Sequence, residues 1–376
     1  MAADFGNPSS LHRKGLAAER VVARAREAVA RAIDADPKEI VFTSGGTESN
    51  NLAIKGVLRG LPRRGKHIVT TAIEHPSVLA VVAELETEGY RVTRLTPGSE
   101  GVIGAADVSR HLAPDTVLVS IMMVNNEVGS IQPVEDVARV LAEARPAGPR
   151  PFLHVDAVQA LGRIPLGGLA RHADLASFSG HKLGGPKGVG ALFVRSGVAL
   201  RPLLAGGGQE SGRRSGTENV PGIAGMGLAV NLALTELPVT LPAMGELRRR
   251  LIEEVLSSIA DARLNGPAAT FGSGLSGEAD RPSAAPHIIN FSFPGAPGEV
   301  LLHCLEAEGV YVATGAACSS HKRGPSHVLE AMGVEPGLAD SSIRVSLGWT
   351  TNAGEIDHFL SALVQAVTDL RRFSRR

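Results

Sequence analysis

The sequence predicts an α/β protein, with a larger unit built on a mostly parallel sheet flanked by helices and a smaller α+β unit after it. Three observations predict this. Short apolar runs alternate with helical patterns from Ile40 to Val194, a long helical region then runs to about Ala260, and the pattern beyond it changes to two strands set among three helices. At 376 residues the chain exceeds the size at which one core usually stops growing, and its 43% hydrophobic content can fill two. The expected division is a large domain over residues 11–255 and a small domain over 256–376, joined by residues 1–10.

The apolar runs, in order, are Ile40-Val41-Phe42, His67-Ile68-Val69-Thr70, Val117-Leu118-Val119-Ser120-Ile121, Phe152-Leu153-His154-Val155, Leu175-Ala176-Ser177-Phe178 and Gly190-Ala191-Leu192-Phe193-Val194. Continuous apolar runs suit strands covered on both faces, and the helical stretches between several of them make βαβ units. A glycine-rich stretch at 206–216 precedes the long helix. In the remainder, strands are expected near 287–293 and 343–347 and helices near 298–308, 325–332 and 353–371, with a loop rich in Gly, Ser, Ala and Pro at 266–285. Within Ser342-Ile343-Arg344-Val345-Ser346-Leu347 the alternation turns Ile343, Val345 and Leu347 to one side and Arg344 to the other.

Charges balance at 38 basic against 38 acidic, which excludes the electrostatic footprint of a general nucleic-acid or anionic-membrane binder. No secretory leader is evident, and the longest apolar stretch, 222–234, is broken by Asn231, so a soluble cytoplasmic protein is expected. No Cys-x-x-Cys or His-Glu-x-x-His pattern suggests a metal site, and the Asn290-Phe291-Ser292 sequon is expected to be unused. Of the two cysteines, Cys304 falls at helical spacing from Val300 and Leu301, which predicts a buried stripe. Cys318 differs. It sits between Ala316-Ala317 and Ser319-Ser320-His321-Lys322-Arg323, and nearby cations can draw a thiol from about 8.5 toward about 7, where the thiolate is abundant.

Residues of unusual type collect just after the predicted strands, at the sheet edge where open α/β folds place ligands. Thr43-Ser44-Gly45-Gly46-Thr47 follows the first run and offers backbone N–H groups to a phosphate, or serves as a plain helix cap. Glu74-His75-Pro76, Val124-Asn125-Asn126-Glu127 and Asp156-Ala157-Val158-Gln159 follow later runs. The chain has seven lysines against 31 arginines, and one of them, Lys182, lies in the polar, glycine-bounded Ser179-Gly180-His181-Lys182-Leu183-Gly184-Gly185. A phosphate cradle, a carboxylate at a strand end and a loop lysine are the parts that pyridoxal 5′-phosphate requires: the lysine for a Schiff base, the carboxylate for the pyridinium nitrogen. Lys187 is the nearest competitor for the covalent role. Arg344 suits bidentate capture of an amino-acid carboxylate.

These residues together resemble the cysteine desulfurases of the NifS/IscS type, within the fold-type-I pyridoxal phosphate enzymes. The resemblance runs nearly full length, from Gly6-Asn7-Pro8-Ser9-Ser10 through Ser44-Gly45-Gly46-Thr47-Glu48-Ser49, Asn125-Asn126-Glu127, His154-Val155-Asp156-Ala157-Val158-Gln159, Ser179-Gly180-His181-Lys182 and Arg214-Ser215-Gly216-Thr217 to the Cys318 segment and Ser341-Ser342-Ile343-Arg344. It implies Lys182 as the Schiff-base lysine, Asp156 as partner of the ring nitrogen, Asn126 and Gln159 on the ring-oxygen side, and His75 stacked on the ring and relaying protons. It further implies Gly46, Thr47, Ser179 and His181 around the phosphate, with Thr217 from the neighbouring subunit of a homodimer. Arg344, with Asn126, would bind the substrate, and Cys318 would accept the sulfur of L-cysteine as a persulfide, leaving L-alanine. The implied partners are a sulfur-acceptor or iron-sulfur scaffold protein, with no membrane, nucleic acid or metal.

Such enzymes usually open with a further strand segment ahead of the Gly-Asn-Pro run, so part of the cofactor wall is expected to be missing here. The acidic residue often found just before Pro325 is also absent, which makes the Cys318 segment more basic. Another fold-type-I activity, a selenocysteine lyase or an aminotransferase, keeps Lys182 and Asp156 but has no need of Cys318. A non-catalytic sulfur-relay partner is the remaining alternative. A nicotinamide enzyme fits worse, because Ser-Gly-Gly-Thr stands where Gly-x-Gly-x-x-Gly belongs.

Overall fold

The computed structural model describes residues 5–144, 149–268, 284–315 and 326–374. Its first stretch runs α1 (Arg13–Arg31), β1 (Ile40–Thr43), α2 (Gly46–Gly60), β2 (His67–Thr71), α3 (Pro76–Thr87), β3 (Arg91–Leu95), α4 (Ala105–His111) and β4 (Thr116–Met122). Then come α5 (Val134–Glu143), β5 (Phe152–Asp156), α6 (Leu169–His172), β6 (Leu175–Ser179), β7 (Gly190–Val194) and the long α7 (Val220–Ser258). The rest is β8 (Arg263–Asn265), β9 (Ile288–Ser292), α8 (Gly298–Ala307), α9 (His327–Ala331), α10 (Pro336–Asp340), β10 (Ser342–Ser346) and α11 (Ala353–Ser374).

Seven strands form one sheet in the order β1-β7-β6-β5-β4-β2-β3. Neighbours from β6 to β3 are parallel, while β7 runs antiparallel to both β6 and β1. The parallel strands β2, β4 and β6 are buried along their whole lengths, as helices on both faces demand. The apolar runs therefore mark true strands. β3 was not legible in that way. Its Arg91-Val92-Thr93-Arg94-Leu95 is only partly buried, with Arg91 and Arg94 exposed at an edge of the sheet, where charge protects unpaired backbone.

The chain forms two compact units, one of Met1–Leu95, Gly104–Met123 and Pro133–Leu237, the other of Thr96–Ile103, Val124–Gln132 and Pro238–Arg376. The division thus falls inside α7, earlier than the expected boundary at 255, and residues 5–10 go with the first unit. Pro238 and Pro242 lie in the helix there, and each removes a helical N–H donor, so the packing partners change where the ladder is thinnest. The two inserted segments are tied to each other: Gln132 donates to the Gly101 carbonyl and accepts from the Ile103 N–H, at 2.8 and 3.0 Å.

In the second unit β10, β9 and β8 make an antiparallel sheet. Its core joins Ile289 and Phe291 of β9, Ile343 and Val345 of β10, Leu251 and Val255 of α7, and Phe359 and Leu363 of α11. The alternation read around Arg344 is what packs this sheet. Asn290 is fully buried, with its amide donating to the Glu127 carbonyl, so the sequon is closed in the folded chain. Cys304 departs from expectation. It is only half-buried, because α8 turns Gly298, Leu301 and Leu305 to the core and leaves Val300 at 44% exposure.

Candidate active site

Parallel register brings the carboxyl ends of the central strands level, with Met122 opposite Asp156 and Asp156 opposite Ser177. Asp156 ends β5 and is buried. Its Oδ2 accepts from Asn50 Nδ2 at 2.7 Å and its Oδ1 from the Val158 N–H at 3.0 Å. Burial raises the pKa of Asp156; the Asn50 and Val158 hydrogen bonds and the charge of Lys182 oppose that rise.

His75 caps α3, its Nδ1 accepting from the Ser77 N–H at 3.1 Å and lying 2.8 Å from Ser77 Oγ. Ser77 Oγ in turn accepts from the same Asn50 Nδ2, at 2.8 Å. Glu74 is also buried at this edge, where its Oε1 accepts from the Met122 N–H and the Thr71 hydroxyl, at 2.9 and 2.7 Å. Burial drives its pKa up to about 8, with Asp156 adding to the rise.

The cradle lies at the start of α2. Gly45 takes φ +154°, a conformation that side chains avoid, and gives the helix no side-chain cap, so the first-turn N–H groups are presented bare. Ser179 adjoins them: a Cβ on Gly46 would lie 3.6 Å from Ser179 Cβ. Ser179 Oγ is also 2.9 Å from His181 Nδ1. Lys182 is half-buried in a short 3-10 turn, Gly180–Leu183, and its carbonyl accepts from Arg163 at 3.1 Å. Gln159 is half-buried beyond β5, while Thr47 and Thr217 are exposed. Thr217 follows Arg214, whose Nε pairs with Glu48 of the first turn of α2 at 2.9 Å.

Asn126 and Arg344 belong to the second unit. Arg344 Nη1 donates to the Asn126 carbonyl at 2.9 Å, while its buried Nε has no hydrogen-bond partner among the described residues. Glu127, beside them, is buried and accepts from the Ser326 hydroxyl; burial raises its pKa, against the Ser326 hydrogen bond and the charges of His327 and Arg344. Cys318 lies outside the described residues.

The sequence-predicted residues of the first unit thus gather at one sheet edge, and the two of the second unit touch each other. Asn50 and Ser77 were missed. Their signal was there only in part, since Asn50 stands in the Ser49-Asn50-Asn51 run that reads as an ordinary helix start.

The class-V aminotransferase family model matches residues 2–359. A protein named cysteine desulfurase IscS from Dictyoglomus turgidum is 44% identical over 98% of this chain and 89% of its own. Among solved structures, a NifS-like protein superposes with a TM-score of 0.87 at 38% identity, covering 97% of this chain and 92% of its own. SspA in complex with cysteine follows with a TM-score of 0.77 at 34% identity, covering 92% of each chain.

Proposed function

The chain belongs to the class-V aminotransferase family and, within it, to the cysteine desulfurases, and from that premise we propose how its own residues do the chemistry. The enzyme converts L-cysteine to L-alanine with transfer of sulfur. The observation that carries the residue assignments is the meeting, at one sheet edge, of buried Asp156 with the uncapped turn at Gly45–Gly46 and the Ser179–Lys182 loop.

Pyridoxal 5′-phosphate suits this set on two counts. An uncapped helix start binds a phosphate, and a carboxyl whose pKa burial raises is relieved by a cationic ring nitrogen. Lys182 would hold the group covalently, Asp156 would pair with its ring nitrogen, and His75 would face the ring. Asn126 and Gln159 would stand on the ring-oxygen side. Gly46, Thr47, Ser179 and His181 would hold the phosphate, with Thr217 supplied by a second copy. When bound, the cofactor supplies an electron sink that loosens the bonds around the substrate α-carbon.

Arg344 binds the substrate carboxylate through donors that include its buried Nε. Lys182 and His75 move protons at the α- and β-carbons. The Cys318 thiolate forms a bond to the substrate sulfur as the Cβ–S bond breaks; the electron pair stays on the β-carbon, which takes up a proton. The products are L-alanine and a persulfide, and the outer sulfur passes to an acceptor or iron-sulfur scaffold protein. A homodimer is supported by Leu228, Leu232 and Val239 of α7, which are 60%, 50% and 70% exposed.

Intact-mass analysis after brief exposure to L-cysteine, followed by peptide mapping, tests the reading. One added sulfur on the Cys318 peptide is expected. Sulfur on Cys304, or on neither cysteine, sinks the assignment.

A further inference from the structure

Asn50 stands between two functional groups and touches both. One nitrogen, Nδ2, donates to Asp156 Oδ2 at 2.7 Å and to Ser77 Oγ at 2.8 Å. The reverse orientation of the amide would set its oxygen against a carboxylate oxygen at the same distance, which is repulsive, so the nitrogen must be the atom that faces Asp156. A hydroxyl that accepts from an amide keeps its own hydrogen for another acceptor. The neighbour at 2.8 Å is His75 Nδ1, which already accepts from the Ser77 backbone. Every bond in the series therefore has one direction: from Asn50 outward to Asp156 on one side, and through Ser77 to His75 on the other.

We propose that Asn50 and Ser77 are positioning residues that reinforce one tautomer of His75, adding a hydroxyl donor to the backbone N–H already on Nδ1 so that the imidazole proton stays on Nε2. The inference rests on the reading of His75 as the residue facing the cofactor, and deepens it. Both relay side chains are buried, Asn50 at 1% and Ser77 at 9% exposure, which limits the access of water to both bonds. Two observations separate this from plain helix capping. The Ser77 backbone N–H alone completes the cap of α3, which leaves the hydroxyl link additional to it. The amide of Asn50 also reaches across 106 residues to Asp156 with the same nitrogen, coupling the orientation of His75 to the group expected to meet the ring nitrogen.

The test uses the holoprotein labelled with 15N-histidine, the His75 signals being assigned by their loss in His75→Gln. In the wild type Nδ1 should be unprotonated and Nε2 protonated. Ser77→Ala leaves Nδ1 only the longer 3.1 Å bond from the backbone N–H, so it and Asn50→Ala should each let a fraction of the other tautomer appear, and the double variant should match either one alone. Ser77→Ala, which keeps the cap N–H, should lower kcat by about tenfold, the order lost when the partner orienting a functional histidine is removed, with KM unchanged. It should leave the visible absorbance of the bound cofactor as in the wild type; Asn50→Ala, which also releases Asp156, should shift that band. If Asn50→Ala does not fold, Ser77→Ala alone decides. An unchanged His75 tautomer in the variants, additive effects, or an equal absorbance shift in Ser77→Ala overturns the proposal. A colourless protein that forms no alanine would instead sink the reading of the site, and the histidine signals would still judge the relay.

Discussion

The ends of β5 and β2 each bury a carboxyl, Asp156 in one and Glu74 just past the other, and the two are set up differently. Burial raises both. Asp156 is met by an amide, a backbone N–H and the charge of Lys182. Glu74 is met by a backbone N–H and a hydroxyl, and the charge of Asp156 pushes the same way as burial. Burial alone therefore does not decide what a carboxyl does here; the neighbours do. Asp156 is surrounded by groups that favour its charged form, as a partner for a cationic ring requires. Glu74, at about 8, keeps its proton at neutral pH and acts as a hydrogen-bonding wall.

The sharpest way to break that contrast is Asp156→Asn. The change keeps shape and removes charge, so Asn50 would face an amide and the ring nitrogen would lose its partner. Alanine formation from cysteine should fall by roughly 10²-fold or more, the order lost when a preorganised charge is removed from a site. Retention of the cofactor on gel filtration should fall with it. A loss under threefold would mean that Asp156 is a structural cap.

Glu74→Gln should do the opposite, leaving activity at pH 7 within about threefold while changing how stability depends on pH. In the fold Glu74 keeps its proton up to about 8, against an ordinary value of 4.5. Between those values the unfolded chain binds fewer protons, so stability is full below the lower value, falls as pH rises through the window and levels off above the upper one. The variant should lose that slope, up to about 1.4 kcal/mol per pH unit, as read from denaturant midpoints between pH 5 and 8. An unaltered slope would show that Glu74 is ionised.

Much of this was legible in the sequence, and the reasons are particular. Strands covered on both faces must be apolar throughout, so β1, β2, β4, β5, β6 and β7 stood out as runs, whereas β3 is only partly buried, carries two exposed arginines and looks like a loop. Lys182, Asp156 and His75 drew notice because lysine is scarce and because carboxylates and histidines just past apolar runs are unusual. Asn50 and Ser77 were not found, since an asparagine in a helix's first turns and a serine after proline are both ordinary capping residues; their partners are 106 and 27 positions away. The assignment of 96–103 and 124–132 to the second unit was hidden for the same reason, as it involves long-range bonds such as Gln132 to Gly101 and Asn290 to Glu127. Cys304 misled because helical spacing from Val300 marks a stripe without saying which way it faces.

The smallest expected effect sharpens the contrast from the side of the hydroxyl. Thr71→Val keeps the volume of a fully buried side chain and removes the donor that reaches Glu74 Oε1 at 2.7 Å. That hydrogen bond lowers the Glu74 pKa, so without it the carboxyl should hold its proton to still higher pH and the level region of the stability profile should begin later. Loss of the bond itself should cost about 1 kcal/mol at neutral pH. Activity should be unchanged, because Thr71 makes no recorded bond to Asp156, Asn50 or Ser77 and the relay to His75 stays whole. A marked fall in alanine formation would show that the two strand ends work as one unit, and that the wall behind the ring is part of its chemistry.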